Sequence, residues 1–270
     1  MQHFRRWLDG VSARVCRPAF IALTESIRQF HHDVLRYPDT QWAVIPNPLD
    51  LSRLAVTDTD RYTLRVELGL QPDTIFVLAV GNLLPVKGHR YLIEAVARLP
   101  EDSRVPVFVG IAGEGPEREA LEALIRQNGL ASRVRLLGYR EDIGRLLAAS
   151  DIYAMPSLSE GQSIAVLEAM HMARPMLLTT QGAHTDFLQH GVSAMLAAPG
   201  SATELETQLR MLVQSEPLRL QLGRAATACL ATMPIAESIP MQLAFHAAVR
   251  AQFRQSCDLA HTTPTVGNGT

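Results

Sequence analysis

The chain has 270 residues, of which 47% are hydrophobic, and its 25 basic side chains nearly balance 27 acidic ones for a net charge of −2. This much apolar material suffices for one large domain or two small ones. The near-neutral charge excludes an overall basic field that would hold nucleic acid, so no nucleic-acid partner is expected. No apolar stretch approaches the roughly 18 to 20 residues of a membrane span, and the first residues lack the apolar core of a signal peptide.

The cysteines bear on the redox compartment. The chain has three of them, Cys16, Cys229 and Cys257, an odd number at distant positions. They predict neither a disulfide framework nor a paired-cysteine metal site. A reducing, cytoplasmic setting fits this pattern best.

Short apolar runs alternate along the chain with longer segments of helical periodicity, the first being an amphipathic helix predicted within residues 1–15. The predicted strands are residues 20–24, 42–47, 75–81, 105–110, 133–138, 151–156, 174–180 and 193–198. The predicted helices are residues 25–37, 87–99, 115–129, 140–150, 163–173, 201–216 and 217–232. Continuous apolar strands separated by helices are typical of a doubly wound, mostly parallel α/β sheet.

The alternation also suggests a domain organisation. About six strand–helix units lie between residues 75 and 200, which predicts one Rossmann-like domain. We place this domain at residues 61–253, after a linker region at residues 1–60. Residues 254–270 are polar and rich in turn formers, so they are predicted to be a disordered tail.

The segment VGNLLPVKGH, residues 80–89, contains the only lysine among 25 basic side chains, Lys87. A predicted strand ends at Gly81, and a predicted helix opens near Gly88. An ammonium group at that helix end opposes the helix dipole, but a bound phosphate would reverse the sign of this interaction. The residues alone leave open a phosphate site and an exposed loop lysine.

A second strand-to-helix junction, FVGIAGEGPERE, is rich in glycine. Gly110, Gly113 and Gly115 have the spacing G-x-x-G-x-G, not the G-x-G-x-x-G of a dinucleotide site. Tight-turn glycines are therefore favoured over a nicotinamide cofactor site.

The third junction, MPSLSEGQSIAVLEAM, carries two carboxylates, Glu160 in the loop and Glu168 in the following helix. Ser163 is a predicted N-cap that leaves N–H groups near Ile164 free for an anion. Carboxylates flanking such a site could each accept two hydrogen bonds from a sugar diol. The alternative is an acidic cap and a surface glutamate, although Glu168 lies in a largely apolar helix and needs a partner there.

These segments resemble the retaining glycosyltransferases of family 4, which have the GT-B fold. PSLSEGQSIAVLEAM is similar to the E-x7-E motif of that family, and VGNLLPVKGHRYLIEAVARL to its G-R-x-x-x-x-K-G segment. WAVIPNPLD is similar to the linker between the two GT-B domains. The resemblance covers about residues 18–235 and implies the C-terminal, donor-binding half of the fold. Residues 1–60 would then include a remnant of an N-terminal acceptor domain that the chain lacks.

The resemblance implies a role for each matching residue. The catalytic positions are Glu160 and Lys87. The positions for the donor diphosphate are Gly81, Asn82, Lys87, Ser163 and Ile164; those for the donor sugar are Glu160, Gly161 and Gln162. Glu168 would hold the ribose, and Tyr139 and Arg140 would lie near the nucleobase. Neither a metal nor another cofactor is implied.

Three positions bear on how closely the site follows the family. Asn82 stands where the family has an arginine, which removes one positive charge from the diphosphate site. Gln162 stands where the family commonly has an aromatic or apolar residue, so sugar contacts would differ. His184 lies in TTQGAHTD, which matches a glycine loop of the family, and a structural role is favoured over a ligand contact.

The resemblance implies transfer of a hexose from a UDP- or GDP-sugar to a glycan or lipid-linked acceptor, with retention of configuration. The expected location is the cytoplasm, with a peripheral contact at the inner face of the membrane left open. The alternative is a non-catalytic module that binds a nucleotide-sugar or a partner, being truncated or needing a separate acceptor-domain chain. Asn82 and the missing first domain support that alternative.

Overall fold

The computed structural model describes residues 19–35, 42–100 and 105–261. The chain divides into two compact units, one of residues 49–233 and one of residues 1–48 with 234–270. The sequence instead placed domain boundaries after residues 60 and 253, and that division stays a prediction. The helix predicted within residues 1–15 lies outside the described residues.

The larger unit contains a sheet of six parallel strands. The strands are β3 (Ile75–Val80), β4 (Val107–Ala112), β5 (Val134–Gly138), β6 (Ile152–Met155), β7 (Met176–Thr179) and β8 (Met195–Ala197). Their order is β5-β4-β3-β6-β7-β8, so the chain crosses from one edge of the sheet to its centre between β5 and β6. This order creates a switch point between β3 and β6, where doubly wound sheets bind ligands at the carboxyl ends of the strands.

Seven helices of this unit connect or flank the strands. They are α2 (Asp60–Leu68), α3 (His89–Ala97), α4 (Arg118–Gln127), α5 (Ile143–Ala149), α6 (Ile164–His171), α7 (Ala202–Gln214) and α8 (Glu216–Ala231). Helix α3 packs against α7 and α4, α2 against α5, and α6 against α8. Short 3₁₀ turns lie at residues 51–54, 85–87 and 183–186.

Strand β3 illustrates how the sheet is buried on both faces. Ile75, Val77 and Ala79 belong to one apolar core with residues of α3, α4 and α7. Phe76 and Leu78, which alternate with them, face the opposite side and are fully buried. Apolar residues at consecutive positions are thus required, which explains the continuous runs in the sequence.

The smaller unit holds strands β1 (Phe20–Ala22) and β2 (Trp42–Val44) and helices α1 (Glu25–Leu35) and α9 (Ser238–His261). The two strands pair in parallel. The rings of Phe20 and Trp42 stack across them with centroids 4.6 Å apart.

The predicted doubly wound α/β class is confirmed, with every predicted strand and helix of residues 20–232 present within a few residues. Two helices were missed, α2 and α9. Helix α9 continues to His261 and so includes residues 254–261 of the predicted tail, whereas residues 262–270 lie outside the described part.

Candidate functional site

The loop after β3 is pressed against the loop after β6. The backbone N–H of Leu158 donates to the carbonyl oxygen of Val86 at 2.8 Å. Gly88 adopts φ +66°, and a Cβ there would lie 2.1 Å from the carbonyl oxygen of Pro156. Only glycine meets both demands, because other residues disfavour this φ and would clash with the backbone. The first and third strand-to-helix junctions described from the sequence, those of Lys87 and Glu160, therefore form one site.

Lys87 and Glu160 meet across this junction. The Lys87 Nζ lies 2.5 Å from Glu160 Oε2, and their side chains are 24% and 13% exposed. The Ser157 hydroxyl donates to the same oxygen at 3.3 Å. Among the described residues, no hydrogen bond reaches Glu160 Oε1. The pair thus holds an ammonium group in place while leaving one carboxylate oxygen available.

Helix α6 begins immediately beside this pair. Ser163 occupies the N-cap position in an extended conformation, as predicted, but its hydroxyl makes no capping hydrogen bond. The first N–H groups of the helix, near Ile164, are therefore not satisfied by the cap and can face an anion. Gly161 and the buried Gln162 complete the loop between Glu160 and the helix.

Glu168 is buried in α6. Its apolar surroundings in the sequence predicted that the carboxylate would need a partner. Its Oε1 lies 4.0 Å from the Arg53 Nη1, and its side chain is only 5% exposed. Burial raises the pKa of Glu168, with Arg53 acting in the opposite direction and Asp50 adding to the rise. A carboxylate this poorly compensated is suited to accept hydrogen bonds from hydroxyl groups.

A glycine on α5, Gly144, allows the segment that carries Arg53 to lie close to this helix. A Cβ on Gly144 would lie 2.7 Å from the Arg53 carbonyl oxygen. The glycine lets the 3₁₀ turn at 51–54 approach the helix, and Asp50 caps this turn by accepting from the N–H of Ser52. The sequence analysis assigned this segment to a linker and did not predict Arg53 as a site residue.

The glycines of the second junction have a packing role. A Cβ on Gly113 would lie 2.0 Å from the Gly81 carbonyl oxygen, and one on Gly115 would lie 2.5 Å from that of Leu83. The loop that contains Gly81 and Asn82 thus lies directly on this glycine turn. This geometry supports tight-turn glycines, as the sequence favoured.

The two residues predicted near the nucleobase follow strand β5, two strands from the ion pair. Tyr139 is 72% exposed. Arg140 pairs with Asp142 through two hydrogen bonds, at 2.7 and 2.6 Å. No hydrogen bond in the described part of the chain joins either residue to Lys87 or Glu160, and their place near the nucleobase stays a prediction.

Two buried histidines line the junction and were not predicted as site residues. Burial lowers the pKa of His89 to about 4, although the backbone of Asn82 and Gly81 acts in the opposite direction. Burial likewise lowers the pKa of His184, whose Nε2 donates to the Thr179 carbonyl oxygen at 2.6 Å. Both rings are therefore neutral near pH 7. His89 follows Lys87 closely in sequence, but no periodicity in the sequence distinguished it from an exposed residue.

Comparisons with known proteins now identify the family. A sequence profile of the glycosyl transferases group 1 family matches residues 60–228, more than half of the chain. The chain belongs to this family. The recognition made from the lysine and glutamate motifs is confirmed at this level.

This group 1 glycosyltransferase chain is similar to named transferases of several bacteria. Alpha-D-kanosaminyltransferase of Streptomyces kanamyceticus is 33% identical over 174 residues, covering 64% of this chain and 45% of that protein. UDP-Gal:alpha-D-GlcNAc-diphosphoundecaprenol alpha-1,3-galactosyltransferase of Escherichia coli is 32% identical over 177 residues, with coverages of 64% and 45%. The chain spans about half the length of the curated relatives it matches.

The fold has a solved counterpart. The crystal structure of Anabaena HepE in complex with UDP aligns with a TM-score of 0.76 at 25% identity, covering 86% of this chain and 64% of that one. Within the described residues of this group 1 glycosyltransferase chain, no three His, Cys, Asp or Glu side chains are grouped to hold a metal ion. None of the described helices is both long and apolar enough to cross a membrane.

Proposed function

We propose that this chain is the donor-binding part of a hexosyltransferase that uses a nucleoside-diphosphate sugar and acts with retention of configuration, as in family 4. The observation that carries the proposal is the meeting of Lys87, Glu160 and the start of α6 at the carboxyl ends of neighbouring strands β3 and β6. An ammonium group, free helix amides and a carboxylate together match a diphosphate joined to a sugar.

Each group has a distinct task in this proposal. When the bond between the anomeric carbon and the diphosphate oxygen breaks, negative charge grows on the diphosphate. Lys87 and the amides near Ile164 stabilise that charge. Glu160 accepts hydrogen bonds from the sugar and orients it, with Gly161 and Gln162 beside it. Glu168 accepts hydrogen bonds from the ribose hydroxyls.

Uracil is the nucleobase that we propose for the donor. The Escherichia coli relative is named as a galactosyltransferase that takes UDP-Gal as donor and a diphosphoundecaprenol-linked acceptor, and HepE was solved with UDP. We therefore propose a UDP-hexose donor and a glycan or lipid-linked acceptor. Because the chain spans about half of its curated relatives, groups that bind the acceptor would come from another domain or chain. We also propose a cytoplasmic location, which the odd number and wide spacing of the cysteines support.

Asn82 makes the site weaker than one with an arginine there. It lies in the loop supported by Gly113 and Gly115, where an arginine would add a second positive charge beside Lys87. A neutral amide can still donate a hydrogen bond to a phosphate oxygen, but without the charge. Lys87 should therefore dominate the electrostatic part of nucleotide binding.

The test is calorimetric titration of the folded chain with UDP, GDP and ADP. UDP should bind saturably, and Lys87→Met should weaken it roughly 10- to 100-fold, the value of one charge-assisted hydrogen bond. Arg98→Met is the matched control, since it removes the same charge from an exposed position at the far end of α3 and should leave binding unchanged. If no nucleotide binds, or if Lys87→Met binds UDP as well as the unmodified chain does, the proposal is wrong.

A further inference from the structure

We infer that Ser157 and Thr179 are positioning residues that fix the Glu160 carboxylate for the donor sugar, at the end of a hydrogen-bonded chain that starts at His184. The inference rests on the proposed function, because it concerns the residue assigned to the sugar. It assigns a role to residues that were not predicted from the sequence.

The chain of hydrogen bonds is continuous. His184 Nε2 donates to the Thr179 carbonyl oxygen at 2.6 Å, and the Thr179 hydroxyl donates to the Ser157 carbonyl oxygen at 2.7 Å. The Ser157 hydroxyl then donates to Glu160 Oε2 at 3.3 Å, the oxygen that also faces Lys87 Nζ. The middle bond joins the end of β7 to the loop after β6, and the other two hold His184 to the end of β7 and Glu160 to Ser157 within their own segments.

The burial of Ser157, Thr179 and His184 favours a positioning role over direct contact with the sugar. Ser157 and Thr179 are both fully buried, at 0% exposure, and His184 is 1% exposed. A donor sugar in the open part of the site can therefore feel these side chains only through Glu160. Their hydroxyl groups restrict where the carboxylate lies, which is what precise orientation of a sugar requires.

The loop after β7 supports Glu160 a second time. A Cβ on Gly182 would lie 3.1 Å from the Glu160 Cβ and 2.9 Å from the His184 ring, so these two side chains enclose the glycine. The N–H of Ala183 donates to the Gly161 carbonyl oxygen at 3.3 Å. The backbone on both sides of the Glu160 carboxylate is thus fixed by β7 and its loop.

This arrangement predicts a specific separation of effects. Nucleotide affinity depends on Lys87 and the helix amides, which this hydrogen-bonded chain does not support directly. The additional affinity for a nucleotide-sugar over the nucleotide depends on Glu160. Loosening Glu160 should therefore change the ratio of the two dissociation constants, whereas a general loss of stability would leave that ratio unchanged.

The experiment measures the dissociation constants of UDP, UDP-glucose and UDP-galactose by calorimetry for the unmodified chain and Thr179→Val. Valine keeps the shape of threonine but cannot donate to Ser157. We expect UDP affinity to be retained, and the ratio of UDP to UDP-hexose dissociation constants, for the tighter-binding hexose, to fall roughly 3- to 10-fold. Ser157→Ala, which removes the direct contact, should lower the ratio at least as much and remains informative if Thr179→Val does not fold.

Two controls and two contrary outcomes complete the design. Thr179→Ser retains the hydroxyl and should restore the ratio, and Thr180→Val changes an exposed neighbour and should not alter it. If UDP binds and the ratio is the same in Thr179→Val and Ser157→Ala as in the unmodified chain, the positioning role is wrong while the proposed function stands. If no nucleotide binds to the folded chain, both are overturned.

Discussion

Strand β6 has a carboxylate at each end, and the two are held in different ways. At its amino end, Asp151 accepts hydrogen bonds from Arg61 at 2.5 Å, from Arg65 at 3.0 Å and from the N–H of Phe76 at 2.8 Å. At its carboxyl end, Glu160 is reached only through Oε2 within the described residues, by Lys87 and Ser157. The difference separates a carboxylate that stabilises the fold from one that is available to a ligand.

The two arginines at the amino end also donate hydrogen bonds to backbone carbonyl groups. Arg65 donates to four carbonyl oxygens, those of Gln71, Pro72, Thr74 and Ala149, and is 7% exposed. Arg61 donates to the last two carbonyl groups of α5, those of Ala148 and Ala149, where cations complement the helix dipole. These bonds join α2 and α5 to the amino end of β6.

The largest predicted effect is a loss of stability when the ion pairs at the amino end of β6 are removed. Asp151→Asn keeps the shape but leaves two arginines facing a neutral group. We expect the free energy of unfolding to fall by about 3 kcal/mol, the cost of breaking a buried pair, with UDP affinity unchanged while the chain is folded. Urea denaturation measures this effect. Asp73→Asn, at an exposed position before β3, is the control and should not change the free energy of unfolding. An equally small change for Asp151→Asn would show that the ion pairs at the amino end do not stabilise the fold.

The next effect is the pH dependence that His89 confers on the carboxyl end. The pKa of His89 is about 4 when folded, against about 6.5 in an unfolded chain. The unfolded state therefore binds more protons in this window, and stability is lost as the pH falls from 6.5 towards 4. Between pH 7 and pH 5 the loss from this residue should be about 2 kcal/mol.

His89→Asn, which cannot titrate, should remove that part of the loss, whereas His171→Asn at an exposed position should not. Urea denaturation of each variant at both pH values provides the measurement. His184 acts in the same direction because burial lowers its pKa too, and Glu168 acts in the opposite direction because burial raises its pKa. A pH dependence unaffected by His89→Asn would contradict a buried neutral imidazole at the site.

A smaller effect sharpens the assignment of Glu168. Glu168→Gln removes a buried charge that lies 4.0 Å from the Arg53 guanidinium group, too far for a hydrogen bond, so stability should rise or stay unchanged. The preference for UDP over 2′-deoxy-UDP should fall about tenfold, the value of a hydrogen bond to a charged group. Calorimetry with both nucleotides tests this, with Glu119→Gln at an exposed position as control. An unchanged preference would place the ribose elsewhere.

The two ends of β6 also differ in how well the sequence predicted them. Glu160 and Lys87 were found because they stand beside glycines at strand-to-helix junctions, where local pattern and site coincide. Helix α2 was missed because Arg65 lies on its buried face, so the usual separation of apolar and polar faces is blurred. The buried Arg65 has its charged partner, Asp151, far away in sequence.

The same limit applies to the residues behind the site. Thr179 and Arg53 contact the site through pairs that only the folded chain brings together, Thr179 with Ser157 and Arg53 with Glu168. A lone threonine at the end of a strand, or an arginine in a linker, has no local signal that predicts a partner. Parallel sheets make such pairs common, because neighbouring strands are separated by a whole helix in sequence.

The smallest effect concerns the pair of Lys87 and Glu160 itself. If the Glu160 carboxylate is available to a ligand, its charge competes with a diphosphate for the Lys87 ammonium group. Glu160→Gln should then bind UDP about threefold more tightly and change the free energy of unfolding by less than about 1 kcal/mol, as for a partly exposed ion pair. Calorimetry at two salt concentrations measures both the gain and its electrostatic origin, since salt should reduce it. Weaker UDP binding by Glu160→Gln would instead mean that the carboxylate holds Lys87 in place, as Asp151 holds its arginines, and the contrast between the two ends of β6 would fail.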